Sequence, residues 1–186
     1  MLTSYISATL DLYWKLSGRR TSDSDSLILH LRSILRRFPF WAEGHRALAE
    51  LCINTGDIAA AYASGHALKA LSTPNSFNCA QALFILGRCF LRKGEWQSAL
   101  LYLRQAHAIL PTLYAIHEEE AAALMLSGDY AAALKALAQI PSELLSAAGQ
   151  AALEFSKMRA ARELAEPQPL ALASLTPLFS YKDRLL

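Results

Sequence analysis

Apolar side chains in this chain recur at one-, three- and four-residue intervals, the rhythm of one helix face. The pattern is sharpest between residues 80 and 113. Leu83, Leu86, Gly87 and Phe90 share a face of a first helix, and Trp96, Ala99, Leu103 and Ala106 share a face of a second. Pro111 ends the second helix. The small Gly87 and Ala99 let two antiparallel helices approach closely.

Three short phrases punctuate the pattern: Gly56-Asp57, Gly94-Glu95 and Gly128-Asp129, with glycines 38 and 34 residues apart. Glycine accepts positive φ and stops the first helix of a pair. The acidic residue that follows caps the second. A fixed period of this length marks a repeat architecture.

The neighbouring units follow the same plan less completely. In 42–79, His45, Leu48, Ala49, Cys52 and Ala61 keep the register, and Ala67, Leu68 and Leu71 continue it before Pro74. Four extra residues in the polar stretch Ser72–Cys79 imply a longer second helix or a longer loop. In 114–147, Leu124, Tyr130, Ala133 and Leu137 keep register, and an early Pro141 makes the second helix short. A degenerate unit over 8–41 carries Leu27, Leu31, Ile34 and Pro39, preceded by a weaker helix at about Ser4–Leu16 and a polar connector at Ser17–Ser26. A last helix at about Ser142–Ala165 shows a face of Leu144, Ala148, Ala151, Phe155, Met158 and Arg162. Pro167 and Pro169 break helicity after it, and the apolar tail 166–186 either folds back on the domain or docks on a partner.

The unit at 80–113 resembles the tetratricopeptide repeat (TPR) family. That family's first helix carries a large residue, then Leu, then Gly or Ala, then an aromatic. Its second carries Ala, a large residue, Ala and then Pro. Leu83, Leu86, Gly87, Phe90, Ala99, Leu103, Ala106 and Pro111 stand in those places. The resemblance implies an all-α fold, a right-handed superhelical solenoid of antiparallel helix pairs. Residues 1–165 form one domain that ends in a capping helix. It also implies a concave groove lined by first-helix positions. Carried over residue by residue, these are Arg46, Glu50, Ile53 and Asn54, then Gln81, Phe84, Arg88, Leu91 and Arg92, then Glu118 and Met125. The arginines suit a carboxylate or phosphate, unless Glu43, Glu50 and Glu118 neutralise them internally. The Lys and Asn set with which some family members grip a peptide C-terminus is missing.

Composition supports a surface that holds something. Apolar residues make up 53 % of the chain and charged residues 18 %, a balance that fits a long internal interface or a face buried on a partner. The net charge of +2 does not argue for nucleic acid. The basic excess is confined to Arg19, Arg20, Arg32, Arg36 and Arg37, which read as a solvated helix face or as a nucleic-acid patch. The three cysteines, Cys52, Cys79 and Cys89, have no paired spacing and suit buried thiols in a reducing compartment. No secretory leader pattern precedes Gly18 and no apolar run approaches the ~18 residues of a membrane span, so a cytoplasmic location is expected.

Chemistry is sparse. None of the five histidines has metal-ligand spacing, and His117-Glu118-Glu119-Glu120 lacks the second histidine of a zinc-protease helix. Glu118–Glu120 read as a solvated or groove-facing helix start. No phosphate-binding glycine loop or nucleophile motif occurs, so neither cofactor nor metal is expected. The chain reads as a non-enzymatic scaffold or adaptor that binds a peptide or helix of a partner. Alternatives are a structural subunit or homo-oligomer, then a chaperone for a secretion substrate or a nucleic-acid adaptor.

Overall fold

The three period glycines stop helices by the same device. In the computed structural model, which describes residues 23–165, φ is +89° at Gly56, +78° at Gly94 and +85° at Gly128. These values lie in the left-handed region that a side chain disfavours. At Gly128 the N–H donates to the Met125 carbonyl at 3.1 Å, and the Asp129 N–H donates to the Leu124 carbonyl at 3.0 Å. Gly94 and Glu95 repeat this pairing on Leu91 and Phe90. The last carbonyls of each helix are thereby satisfied. Asp57 and Asp129 then cap the next helix, accepting from the N–H of Ala60 at 3.1 Å and of Ala132 at 2.9 Å. Glu95, one methylene longer, makes no such bond.

Eight α-helices result among the described residues: α1 (Asp23–Arg37), α2 (Ala42–Thr55), α3 (Ile58–Leu71), α4 (Phe77–Arg92), α5 (Trp96–Ile109), α6 (Tyr114–Ser127), α7 (Tyr130–Leu137) and α8 (Ala147–Ala165). They form an all-α array of paired helices with an extra helix at its C-terminal end. The described residues fall into two compact units, 23–85 and 86–165, and the division lies within α4.

In the first unit, α1 packs on α2 and α2 on α3. Leu27, Leu31, Ile34 and Leu35 of α1 are buried, as are Leu48, Leu51 and Cys52 of α2 and Ala61 and Leu68 of α3. The polar connector predicted over Ser17–Ser26 does not hold for its last four residues, which are helical in α1, and the rest of it lies outside the described residues. Ser and Asp weaken a helix interior but favour its first turn, where amides lack partners. The four extra residues before Ala80 do not lengthen α3, which has 14 residues like α5. They enter the following connection and the start of α4. Phe77 lies 17 positions before its glycine, whereas Ala42 and Tyr114 lie 14 before theirs.

In the second unit, α6 packs on both α5 and α7, and α8 packs on α7 and α6. A Cβ added at Gly87 would sit 2.8 Å from Leu103 Cγ and 3.4 Å from the Ala99 carbonyl, so α4 and α5 meet where the small residues predicted. The early Pro141 leaves α7 only eight residues long. The last helix departs from expectation. A short 3-10 turn covers Ser142–Leu144, Leu145 is extended, and α8 starts after Ser146. Its buried positions are Gly149, Ala152 and Ser156, while Leu144 and Met158 are exposed. Small side chains let this helix lie close to its neighbours, which is why the large residues do not define its inner face. The helix expected at Ser4–Leu16 and the tail 166–186 lie outside the described residues.

Candidate interaction site

Arg46, Glu50 and Asn54 stand four residues apart on α2, one stripe of a helix. Arg46 Nη1 donates to Glu50 Oε1 at 3.2 Å, and both side chains are partly buried. Asn54 is exposed, whereas its neighbour Ile53 is fully buried. Gln81 and Phe84 of α4 are nearly buried.

The second unit uses its polar residues differently. Arg88 Nε lies 3.4 Å from Glu119 Oε1, an ion-pair separation whose geometry is not that of a hydrogen bond. Glu119 keeps 1 % of its surface and Arg88 14 % of its side chain. Glu118 turns to another neighbour: Ser146 donates its backbone N–H to Oε1 at 2.8 Å and its hydroxyl to Oε2 at 2.9 Å. The same hydroxyl accepts from the Gly149 N–H at 3.0 Å, so Ser146 caps α8 while Glu118 holds the cap. Glu120 receives Arg104 Nε at 3.2 Å. Three consecutive glutamates thus reach three elements, as the turn of about 100° per helical residue dictates. Glu118 and Glu119 are therefore buried rather than solvated.

Of the glutamates expected to neutralise the arginines, Glu50 pairs with Arg46. For Arg88 the partner is Glu119 rather than Glu118, because adjacent positions on a helix face different neighbours. Leu91 is nearly buried and Met125 fully so, and Arg92 is half-buried at the end of α4.

Cys52 and His117 are displaced from their ordinary range. Burial pushes the Cys52 thiol up and the nearby Asp57 carboxylate adds to this, while Arg32 opposes it. A thiol held neutral in this way is a poor nucleophile. Burial pulls His117 below its usual value and the neighbouring His107 adds to this, against the pull of Glu120 and the Pro111 carbonyl. The two imidazoles meet edge to face with centroids 4.5 Å apart. Among the described residues no group of three or more His, Cys, Asp or Glu side chains is placed to hold a metal ion.

Position along the chain did not bring out one further cluster in the first unit. Arg32 Nη2 donates to Asp57 Oδ2 at 2.8 Å, linking α1 to the cap of α3. Beside this pair, Arg32, Leu35, Arg36, His45, Leu48, Ala63 and Ser64 line an open cavity of about 360 Å³. His45 is oriented by its Nε2, which lies 2.8 Å from the Pro39 carbonyl. A helical spacing of four between Arg32 and Arg36 was the available signal, but the contributions of α2 and α3 needed the fold.

No protein-family model and no curated protein sequence matches the chain. Solved structures do. A Podosopora anserina protein assigned as a kinesin light chain, with nearly identical TPR-like repeats, superposes with a TM-score of 0.68 at 15 % identity, over 98 % of this chain and 94 % of that one. A thermophilic TPR protein of Thermus thermophilus gives 0.66 at 18 % identity, over 96 % and 97 %. MamA gives 0.58 at 18 % identity, over 77 % and 92 %. At these identities the likeness speaks for the fold alone, and the fold is a TPR-like helical repeat.

Proposed function

We propose that the chain is a non-enzymatic scaffold that holds a peptide or helix of a partner protein against the polar stripes of its first helices. The observation that carries this reading is the repeat of paired helices itself, shared with TPR structures. A repeat of this kind presents side chains at regular spacing from rigid elements, which suits extended or helical ligands. The α2 stripe of Arg46, Glu50 and Asn54 supplies polar groups that face outward at least in part. The second unit ties Glu118, Glu119 and Glu120 into its own packing.

A photo-crosslinker introduced at Asn54 and, separately, at the exposed Gln139 after α7 tests this reading in native cell extract. The expected result is one partner polypeptide captured from position 54 and not from 139. Equal labelling from both positions, or none from 54, overturns it.

A further inference from the structure

We infer that the cavity between α1, α2 and α3 is a docking site for a peptide segment that sets an acidic side chain beside an apolar one. The inference rests on the scaffold reading and names the chemistry of the partner. The cavity has an apolar wall of Leu35, Leu48 and Ala63 and a cationic rim of Arg32 and Arg36. Arg36 is exposed and has no ion-pair or hydrogen-bond partner among the described residues. Arg32 uses Nη2 on Asp57, and a guanidinium carries five N–H donors, so its fork is not exhausted by that bond.

Ser64 adds a polar group to the apolar wall. It retains 6 % exposure, lines the cavity, and its hydroxyl has no hydrogen-bond partner among the described residues. The hydroxyl oxygen still meets solvent in the cavity, so its O–H is a donor open to an incoming group. An incoming acidic oxygen accepts from it. His45, held by the Pro39 carbonyl, completes the wall at a fixed orientation.

The occupant follows from the mixture. A free inorganic anion uses the guanidinium groups and leaves Leu35, Leu48 and Ala63 wet. A nucleic-acid backbone needs a longer basic track than two arginines at one rim. A peptide with an acidic and an apolar side chain in succession satisfies both walls. The acidic group takes the bidentate fork of Arg36, and the apolar side chain covers the leucines. The anionic group is a carboxylate or a phosphate ester, which share this recognition chemistry.

Fluorescence anisotropy with four probes tests the site on the full chain: a short labelled peptide of alternating leucine and glutamate, the same peptide with phosphoserine for glutamate, the same with glutamine, and a labelled single-stranded oligonucleotide. Inorganic phosphate serves as competitor. The glutamate or the phosphoserine peptide is expected to bind, and whichever is tighter identifies the anionic group. The glutamine peptide is expected to bind about tenfold more weakly or worse, as loss of a charge-assisted pair implies. Arg36→Glu is expected to lose binding to a similar extent while staying folded, its melting curve shifted by no more than a helix-end charge costs, and Ser64→Ala to lose about three- to tenfold. Failure of both acidic peptides to bind, equal affinity for the glutamine peptide, or retention of binding by Arg36→Glu overturns the inference. So does binding of phosphate or the oligonucleotide alone. If Arg36→Glu still crosslinks its partner from position 54, the scaffold reading stands and only the cavity assignment fails.

Discussion

The α2–α3 hairpin and the α6–α7 hairpin are built on one plan and use their charges in opposite ways. Each stops its first helix with a left-handed glycine and starts its second with a capping aspartate. In α2 the pairing is local: Arg46 bonds Glu50 on the same helix, both partly buried, and Asn54 is open. In α6 the charges turn inward, with Glu118 tied to the cap of α8 and Glu119 to Arg88 of α4. Identical backbone devices therefore do not fix what a charged residue is for. The neighbour that the next element brings over it decides whether it supports packing or meets a ligand.

The comparison breaks most sharply at Glu119. Glu119→Ala removes the carboxylate that Arg88 pairs with at a site where both side chains are largely buried. We expect a loss of about 3 kcal/mol in urea unfolding, since removing one partner of a buried pair is the costly case. The Arg46→Ala counterpart in α2 should lose less than half of that, and equal losses would remove the distinction.

Ser146→Ala deletes both a helix cap and a donor to Glu118. A loss of about 1–2 kcal/mol is expected by the same measurement. If hydrogen exchange at the start of α8 is unaltered, Ser146 does not hold that helix.

His117 gives the second unit a pH dependence. Its folded pKa is depressed by burial and by His107, so the unfolded chain binds a proton more readily. Stability is then unaffected well above the ordinary histidine value of 6.5 and falls as pH drops from there towards the depressed folded value. His117→Leu should flatten that fall as the pH is lowered from above the ordinary histidine value to below it. An unchanged slope assigns the dependence to other groups.

The smallest effect belongs to the first unit. Arg32 and Asp57 are 38 % and 45 % exposed, so Arg32→Ala should cost about 0.5 kcal/mol or less. Asp57 still caps α3 in that variant. A larger loss would place Arg32 among the structural charges of the α6 kind.

The helix pairs were legible in the chain because their signals are local. Gly87 with Ala99 marked a close helix approach, and Gly56, Gly94 and Gly128 marked the stops. Where a residue's role depended on what packs over it, periodicity was silent. It placed Leu144 and Met158 on the inner face of the last helix, yet the fold chose Gly149, Ala152 and Ser156, because close packing there favours small side chains. It could not distinguish Glu118 from Glu119, which differ only in direction around α6. The Arg36 and Ser64 cluster joins three helices, and no linear spacing expresses that.

The central claim is that the first unit keeps charge available for a partner while the second uses it to hold its packing. Parallel measurement of unfolding free energy and acidic-peptide affinity for Arg36→Glu and Glu119→Ala tests it most directly. Arg36→Glu should lower the unfolding free energy by no more than about 1 kcal/mol, the cost of an acid in the last turn of α1, and weaken binding about tenfold or more, and Glu119→Ala should lower stability while folded protein still binds. A destabilised Arg36→Glu that retains affinity, or a fully stable Glu119→Ala, would contradict the account.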